Sequence, residues 1–198
     1  MENQTLAEEE QRGEGRNELL LWAKDILIAV LVAIIIMQFI KPTLVKESSM
    51  EPNFIENDYL FVSRQSYGLF HGSPKRGDVV VFRSDLTDEN QNKKLLIKRV
   101  IGVPGDIISI TDGKVYVDGK QIDDSYTKEQ YTNGNIEDLK VPKNQYFCMG
   151  DNRTVSIDSR SPKVGFVDKS QLVGKVVFRA YPFDKVGPVE NPYDKEEE

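Results

Sequence analysis

From residue 19 to 40 the chain reads LLLWAKDILIAVLVAIIIMQFI, and only Lys24, Asp25 and Gln38 break its apolar character. As a helix this stretch would run about 33 Å, enough to cross the hydrocarbon core of a bilayer. Between Ile26 and Met37 every face is apolar, so the pattern does not turn one stripe to a core and another to water. Lys24 can snorkel from near the start of the run, and Trp22 suits the headgroup level. The pattern predicts one transmembrane helix over 19–40, kept as an anchor, since no small-x-small cleavage site follows it.

Beyond Pro42 the texture changes to short runs rich in Val, Ile, Phe and Tyr, separated by turn residues, which is the pattern of a β domain. Strands are expected at 59–64, 78–83, 95–103, 107–111, 114–119, 145–150 and 172–182. The dipeptides Asp112-Gly113 and Asp118-Gly119 are hairpin signals, so 107–122 reads as a meander. Residues 84–94 read as a polar loop and 123–140 as a longer insertion. The expected organisation is an acidic, disordered tail over 1–18, the span over 19–40, a β-rich domain over 41–183, and an acidic tail over 184–198.

Charge sharpens this division. The net charge of −6 is uneven, because residues 1–18 hold six Glu against Arg12 and Arg16, and residues 184–198 hold six acids against Lys185 and Lys195. With no basic stripe in the middle, nucleic acid is not expected as a partner. One cysteine, Cys148, allows no internal disulfide, and one histidine, His71, allows no multi-histidine site, so neither a metal nor another cofactor is expected. Arg12, Arg16 and Lys24 flank one end of the span, Lys41 and Lys46 the other, so charge alone does not orient it.

Three segments carry candidate chemistry. ESSMEP, at 47–52, offers serine hydroxyls just past the span, and a hydroxyl needs a neighbouring base to become a nucleophile. His71 lies in the turn-rich LFHGSPKRGD. A lysine is the other choice, but a free one is neutral only about once in 2,500 molecules at pH 7, so it must be buried to act. Lys98 sits in LLIKRVIGVPGD, where a regular strand puts Leu96 and Val100 on its face. The residues leave open whether Lys98 or Arg99 turns inward. The third segment, MGDNRTVSIDSR (149–160), holds Asp151, Arg153, Asp158 and Arg160, which could form loop-fixing ion pairs, and Ser156, which could orient a neutral amine.

Taken in order behind one span, SSMEP, RGDVVVF, KRVIGVPGD and GDNRTVSIDSR resemble the sequence boxes of bacterial type I signal peptidases, in the single-span form typical of Gram-positive bacteria. The resemblance implies a mainly β fold, a signal-peptidase-like antiparallel β-sheet domain, held outside the cell membrane with the N-terminus cytoplasmic. It implies a serine endopeptidase that cuts signal peptides from preproteins after small residues, in an Ala-x-Ala pattern. Carried over by position, Ser49 is the nucleophile, Lys98 the general base and Ser156 the orienting hydroxyl. Asp158 and Arg160 match a structural ion pair near the site, and Met50, Phe54, Leu96 and Ile97 match positions that line the substrate pockets. Preprotein signal peptides, the lipid bilayer and the secretion machinery are the implied partners.

Two positions depart from the family pattern: Asn53 stands where Thr is usual, and Glu47 stands two residues before the nucleophile, where members carry Ser or Gly. A self-cleaving repressor protease of related Ser-Lys type would need a DNA-binding domain where this chain has its apolar run. A catalytically impaired, membrane-anchored binding protein is the other alternative, and Glu47 favours it. A carboxylate facing a developing oxyanion would oppose it, and one lost oxyanion donor costs about 3 kcal/mol, so Glu47 must point away or be protonated. Glu47→Gly is therefore expected to leave cleavage of an Ala-x-Ala preprotein equal or faster, and a sharp loss of rate would show a positive role for the carboxylate.

Overall fold

The computed structural model describes residues 20–34, 37–67 and 72–194. His71 and the N-terminal tail expected over 1–18 lie outside them. The apolar run forms a helix, Leu20–Phe39, whose described large side chains, Trp22, Ile26 and Leu31 among them, are exposed. Ile40, expected at the end of the span, instead opens the first strand.

The unit beginning at Ile40 carries strands β1 (Ile40–Leu44), β2 (Tyr59–Ser63), β3 (Val79–Thr87), β4 (Lys93–Gly102), β5 (Ile107–Thr111), β6 (Lys114–Val117), β7 (Lys120–Gln121), β8 (Ile136–Lys140), β9 (Gln145–Met149), β10 (Val167–Asp168), β11 (Leu172–Tyr181) and β12 (Gly187–Pro188). The larger sheet runs β1-β2-β11-β3-β4-β9-β10, with β12 paired to β11, and the smaller runs β7-β6-β5-β8. Every pairing is antiparallel.

The centre of the large sheet is buried on both faces. Along β3, Val79 and Val81 join one core cluster with Met50, Phe54, Leu60 and Val62, while Val80 and Phe82 join another with Leu96, Val100 and Cys148. This accounts for the unbroken Val-Val-Val-Phe run, since a strand covered on both faces does not alternate. A third cluster seats the small sheet, through Ile108, Ile110, Val115 and Val117, against Ile101, Phe147 and Met149. Asp112-Gly113 and Asp118-Gly119 all take positive φ, as the tight turns of the meander require.

Three stretches differ from the sequence reading. The polar loop shrinks to 88–92, where Asp88 Oδ1 accepts from the Asn90 and Asn92 backbone N–H groups. The insertion contains β8, a polar strand paired to β5. The C-terminal stretch is not a solvated tail as far as Asp194: Gly187 pairs Arg179, Asn191 Nδ2 donates to Arg76 O, and Val189 and Tyr193 pack on the core clusters. Those apolar contacts outweigh the acidic composition.

Two strand edges matter for the site. β1 pairs only β2, and Pro42 is tolerated there because an edge strand can lack a donor on one side. β4 pairs β3 along Lys93–Arg99 but meets β9 only from Arg99 onward, so Lys93–Lys98 present a second free edge. At the sheet's middle, a Cβ on Gly174 would collide with the Ser63 carbonyl oxygen. Gly174→Ala is expected to destabilise the domain by roughly 1–3 kcal/mol, read as a lower denaturant midpoint at unchanged slope.

Candidate active site

The turn that carries Ser49 is a short 3-10 segment, Ser48–Met50, entered from Glu47 in extended conformation. Met50 anchors it in the core, and Ser49 is 8% exposed. The loop 149–160 grips this turn from the other side: the Asn152 backbone N–H donates to Ser49 O at 3.1 Å, and Asn152 Nδ2 donates to Ser48 O at 3.1 Å. Asn152 had no place in the sequence reading. Its signal was its position between Asp151 and Arg153, where an amide can bridge two backbone groups.

Lys98 is 1% exposed and Arg99 is 3% exposed, so both turn inward, on opposite faces of β4. Lys98 Nζ lies 2.7 Å from Ser49 Oγ and donates to Ile97 O at 3.1 Å. Burial lowers the Lys98 pKa from its ordinary value, against the opposing pull of Asp158, Glu47 and Asp151 and with a further push from Lys94. An amine held in this way can accept a proton from the hydroxyl it touches.

Arg99 forms a buried two-point pair with Asp151, Nε to Oδ1 at 2.9 Å and Nη2 to Oδ2 at 2.7 Å. Asn53 Nδ2 donates to the same Asp151 carboxylate at 2.9 Å and to Tyr126 O at 2.8 Å, so the departure at position 53 is built into the network. The ion pair expected within the loop for Asp151 thus runs to β4. Arg153 instead donates to Gly150 O, Thr132 Oγ1 and Tyr126 OH. Arg99 also lies 4.6 Å from the centre of the Tyr126 ring.

Asp158 and Arg160 do pair, at 2.9 and 2.8 Å, and Asp158 Oδ2 accepts from the Gly150 N–H. Burial pushes the Asp158 pKa up, but the Arg160 contact and the Gly150 N–H together hold it below its ordinary value. Ser156 Oγ is buried beside the Asp158 carboxylate, whose charged form it helps to favour, and no hydrogen bond joins it to Lys98. It lies against Gly150, where a Cβ would collide with both Ser156 Oγ and the Ser49 carbonyl oxygen. Glycine at 150 is what lets the loop close on the Ser48–Met50 turn.

A cleft of about 450 Å³ runs between β1 and the free edge of β4, lined by Pro42, Leu44, Ser49, Met50, Leu96 and Ile97 among others. Three of the four expected pocket residues therefore face it. Phe54 does not: it is core, with the Arg179 guanidinium 4.9 Å from its ring centre. Glu47 turns its carboxylate to Lys94 in an ion pair, which the sequence reading did not foresee.

With this geometry in hand, the comparisons with known proteins are unambiguous. Residues 19–181 match the family described as signal peptidase, peptidase S26. Signal peptidase I of Bacillus licheniformis is 34% identical over 188 residues, covering 90% of this chain and 97% of that protein. Signal peptidase IB of Staphylococcus aureus (strain N315) is 33% identical over 195 residues, covering 89% and 97%. A crystal structure of a signal peptidase I from Enterococcus faecalis V583 aligns with a TM-score of 0.44 at 29% identity, covering 53% of this chain and 97% of that one. The chain belongs to the signal peptidase family, peptidase S26. It is a signal-peptide-removing peptidase, and its N-terminal apolar helix fits a membrane-anchored form.

The buried amine also sets a stability signature. Because the Lys98 pKa is lowered in the fold, the unfolded chain binds a proton that the folded chain gives up, and stability rises with pH between the folded and unfolded values. Lys98→Met is expected to raise the melting temperature near neutral pH. That gain should shrink as pH approaches the unfolded lysine value of about 10.4, and thermal melts across pH test it.

Proposed function

We propose that this protein is a serine endopeptidase using Ser49 as nucleophile and Lys98 as general base to cut preproteins after small residues. The observation that carries this reading is the 2.7 Å contact between Ser49 Oγ and the buried Lys98 amine, at the wall of a cleft. The neutral amine takes the Ser49 proton as the hydroxyl attacks the scissile carbonyl, and the resulting ammonium returns it to the leaving amine. A water then gives a proton to Lys98 and attacks the ester; the acyl–Oγ bond breaks to release the acid, and Lys98 returns the proton to Ser49 Oγ. The Ser49 backbone N–H serves as an oxyanion donor, and Ser156, on the loop that grips the Ser49 turn, serves to orient the amine once its hydroxyl turns to Lys98. Asp158 with Arg160, and Asp151 through Arg99, hold the loop against the turn. These steps ask for no metal or nucleotide.

The substrate enters as an extended strand between β1 and the free edge of β4, so side chains two apart point to the same wall. Met50, Leu96 and Ile97 form that wall, and small residues fit there. Phe54 supports Met50 from the core. The apolar helix holds the enzyme in the cell membrane with its N-terminus cytoplasmic and the β domain outside. Enzyme and preprotein then share one bilayer, which raises their effective concentration. Preproteins, the bilayer and the secretion machinery are the partners, and nucleic acid is not.

The deciding experiment is cleavage of a labelled Ala-x-Ala preprotein by the detergent-solubilised full chain, beside Ser49→Ala and Lys98→Ala. Both variants are expected to lose at least a thousandfold in rate, the scale on which acid–base and covalent catalysis contribute, and kcat/KM should fall as pH drops and Lys98 is protonated. Cleavage that survives Lys98→Ala but is lost in His71→Ala would move the base to His71, and an inert wild type would favour the binding-protein alternative.

A further inference from the structure

The strand alternation of β4 puts Lys94, Leu96 and Lys98 on one face, so the face that holds the buried amine carries a second lysine toward the rim. Glu47 approaches that rim from the nucleophile turn, and its carboxylate forms an ion pair with Lys94 Nζ. A second cleft, about 430 Å³, reaches Ser49 from the side of Leu86, Val155 and Ile157. Glu47, Lys94, Leu96 and Ser49 line both clefts, so the ion pair stands at their junction, beside the point where a chain passing from one to the other would present its scissile bond.

We propose that Lys94 is a positioning residue of this active site, whose ammonium holds the Glu47 carboxylate aside and cancels its charge where the oxyanion forms beside Ser49. The proposal rests on the Ser49 and Lys98 reading above. Left alone, a carboxylate two residues before the nucleophile would act twice against the reaction. It would repel the negative charge of the tetrahedral intermediate, and it would favour the protonated, inactive form of Lys98. Paired with Lys94, it does less of both. The groups facing Lys98 fit this: Asp158, Glu47 and Asp151 pull its pKa up, while Lys94 pushes it down, so Lys94 offsets part of the Glu47 pull on the amine. The two side chains are 40% and 44% exposed, so the pair adds little to stability, and variants at either position should fold.

The test is steady-state cleavage of the preprotein by the full chain, as a double-variant cycle with a pH profile. Lys94→Met is expected to lower kcat roughly tenfold at low ionic strength with KM nearly unchanged, because the uncleaved carbonyl carries no full charge. Its acid limb should move to higher pH, and added salt should recover part of the loss by screening the bare carboxylate. Lys94→Arg should keep most of the rate, and the double variant Glu47→Gln, Lys94→Met should return within about twofold of wild type. A double variant as slow as Lys94→Met alone, or a Lys94→Met with unchanged kcat and acid limb, would overturn the proposal while leaving the Ser49 and Lys98 reading intact. Cleavage that survives in Ser49→Ala would overturn both.

Discussion

Two cations buried side by side on one strand, Lys98 and Arg99, set the terms for everything around them. Consecutive residues of a strand face opposite ways, so each needs its own solution to the cost of leaving water. Arg99 is always charged and receives a two-point carboxylate, Asp151, that is itself shared with Asn53. Lys98 makes its described contacts with the Ser49 hydroxyl and the Ile97 carbonyl instead of a carboxylate, and its burial lowers its pKa. The same strand thus holds one cation fixed by a carboxylate that ties the site together and one whose charged form burial disfavours.

That division explains why three distant segments must meet. The Asp151 carboxylate joins the loop after β9 to β4 through Arg99 and to Asn53, three residues past the Ser48–Met50 turn, and Asn152 next to it grips the turn by two carbonyls. Breaking a buried pair by removing one partner leaves a bare charge and costs about 3–5 kcal/mol. The loop therefore acts as a clamp whose grip is electrostatic at Asp151 and Asp158 and steric at Gly150.

Much of this was legible in the chain. DVVVFR and LLIKRVIGV are strands buried on both faces at the sheet centre, YLFVSR is one that buries Leu60 and Val62 on a single face, and the Asp-Gly dipeptides turn where their φ preferences require. Ser49, Lys98 and Asp158 with Arg160 could be placed through family order. What escaped was decided by tertiary contact. Ile40 reads as the last residue of the span until β2 pairs with IKPTL, and IEDLK reads as loop until β5 pairs with it. Asp151 looked like a partner for its neighbours in sequence, and only the sheet brings Arg99 to it. The Glu47–Lys94 pair joins residues 47 positions apart, and neither side chain signals the other.

The two unpaired edges of β1 and β4 have a further consequence. A cleft bounded by bare backbone on both sides makes its main contacts with the amide groups of whatever enters, and a folded protein has already committed those groups to its own helices and sheets. Only a chain that is still extended can fill the slot. In the reading favoured here, a protein whose job is to cut near the membrane surface would be blind to the finished proteins that crowd that surface, and the discrimination would come from their being folded rather than from any sequence they carry.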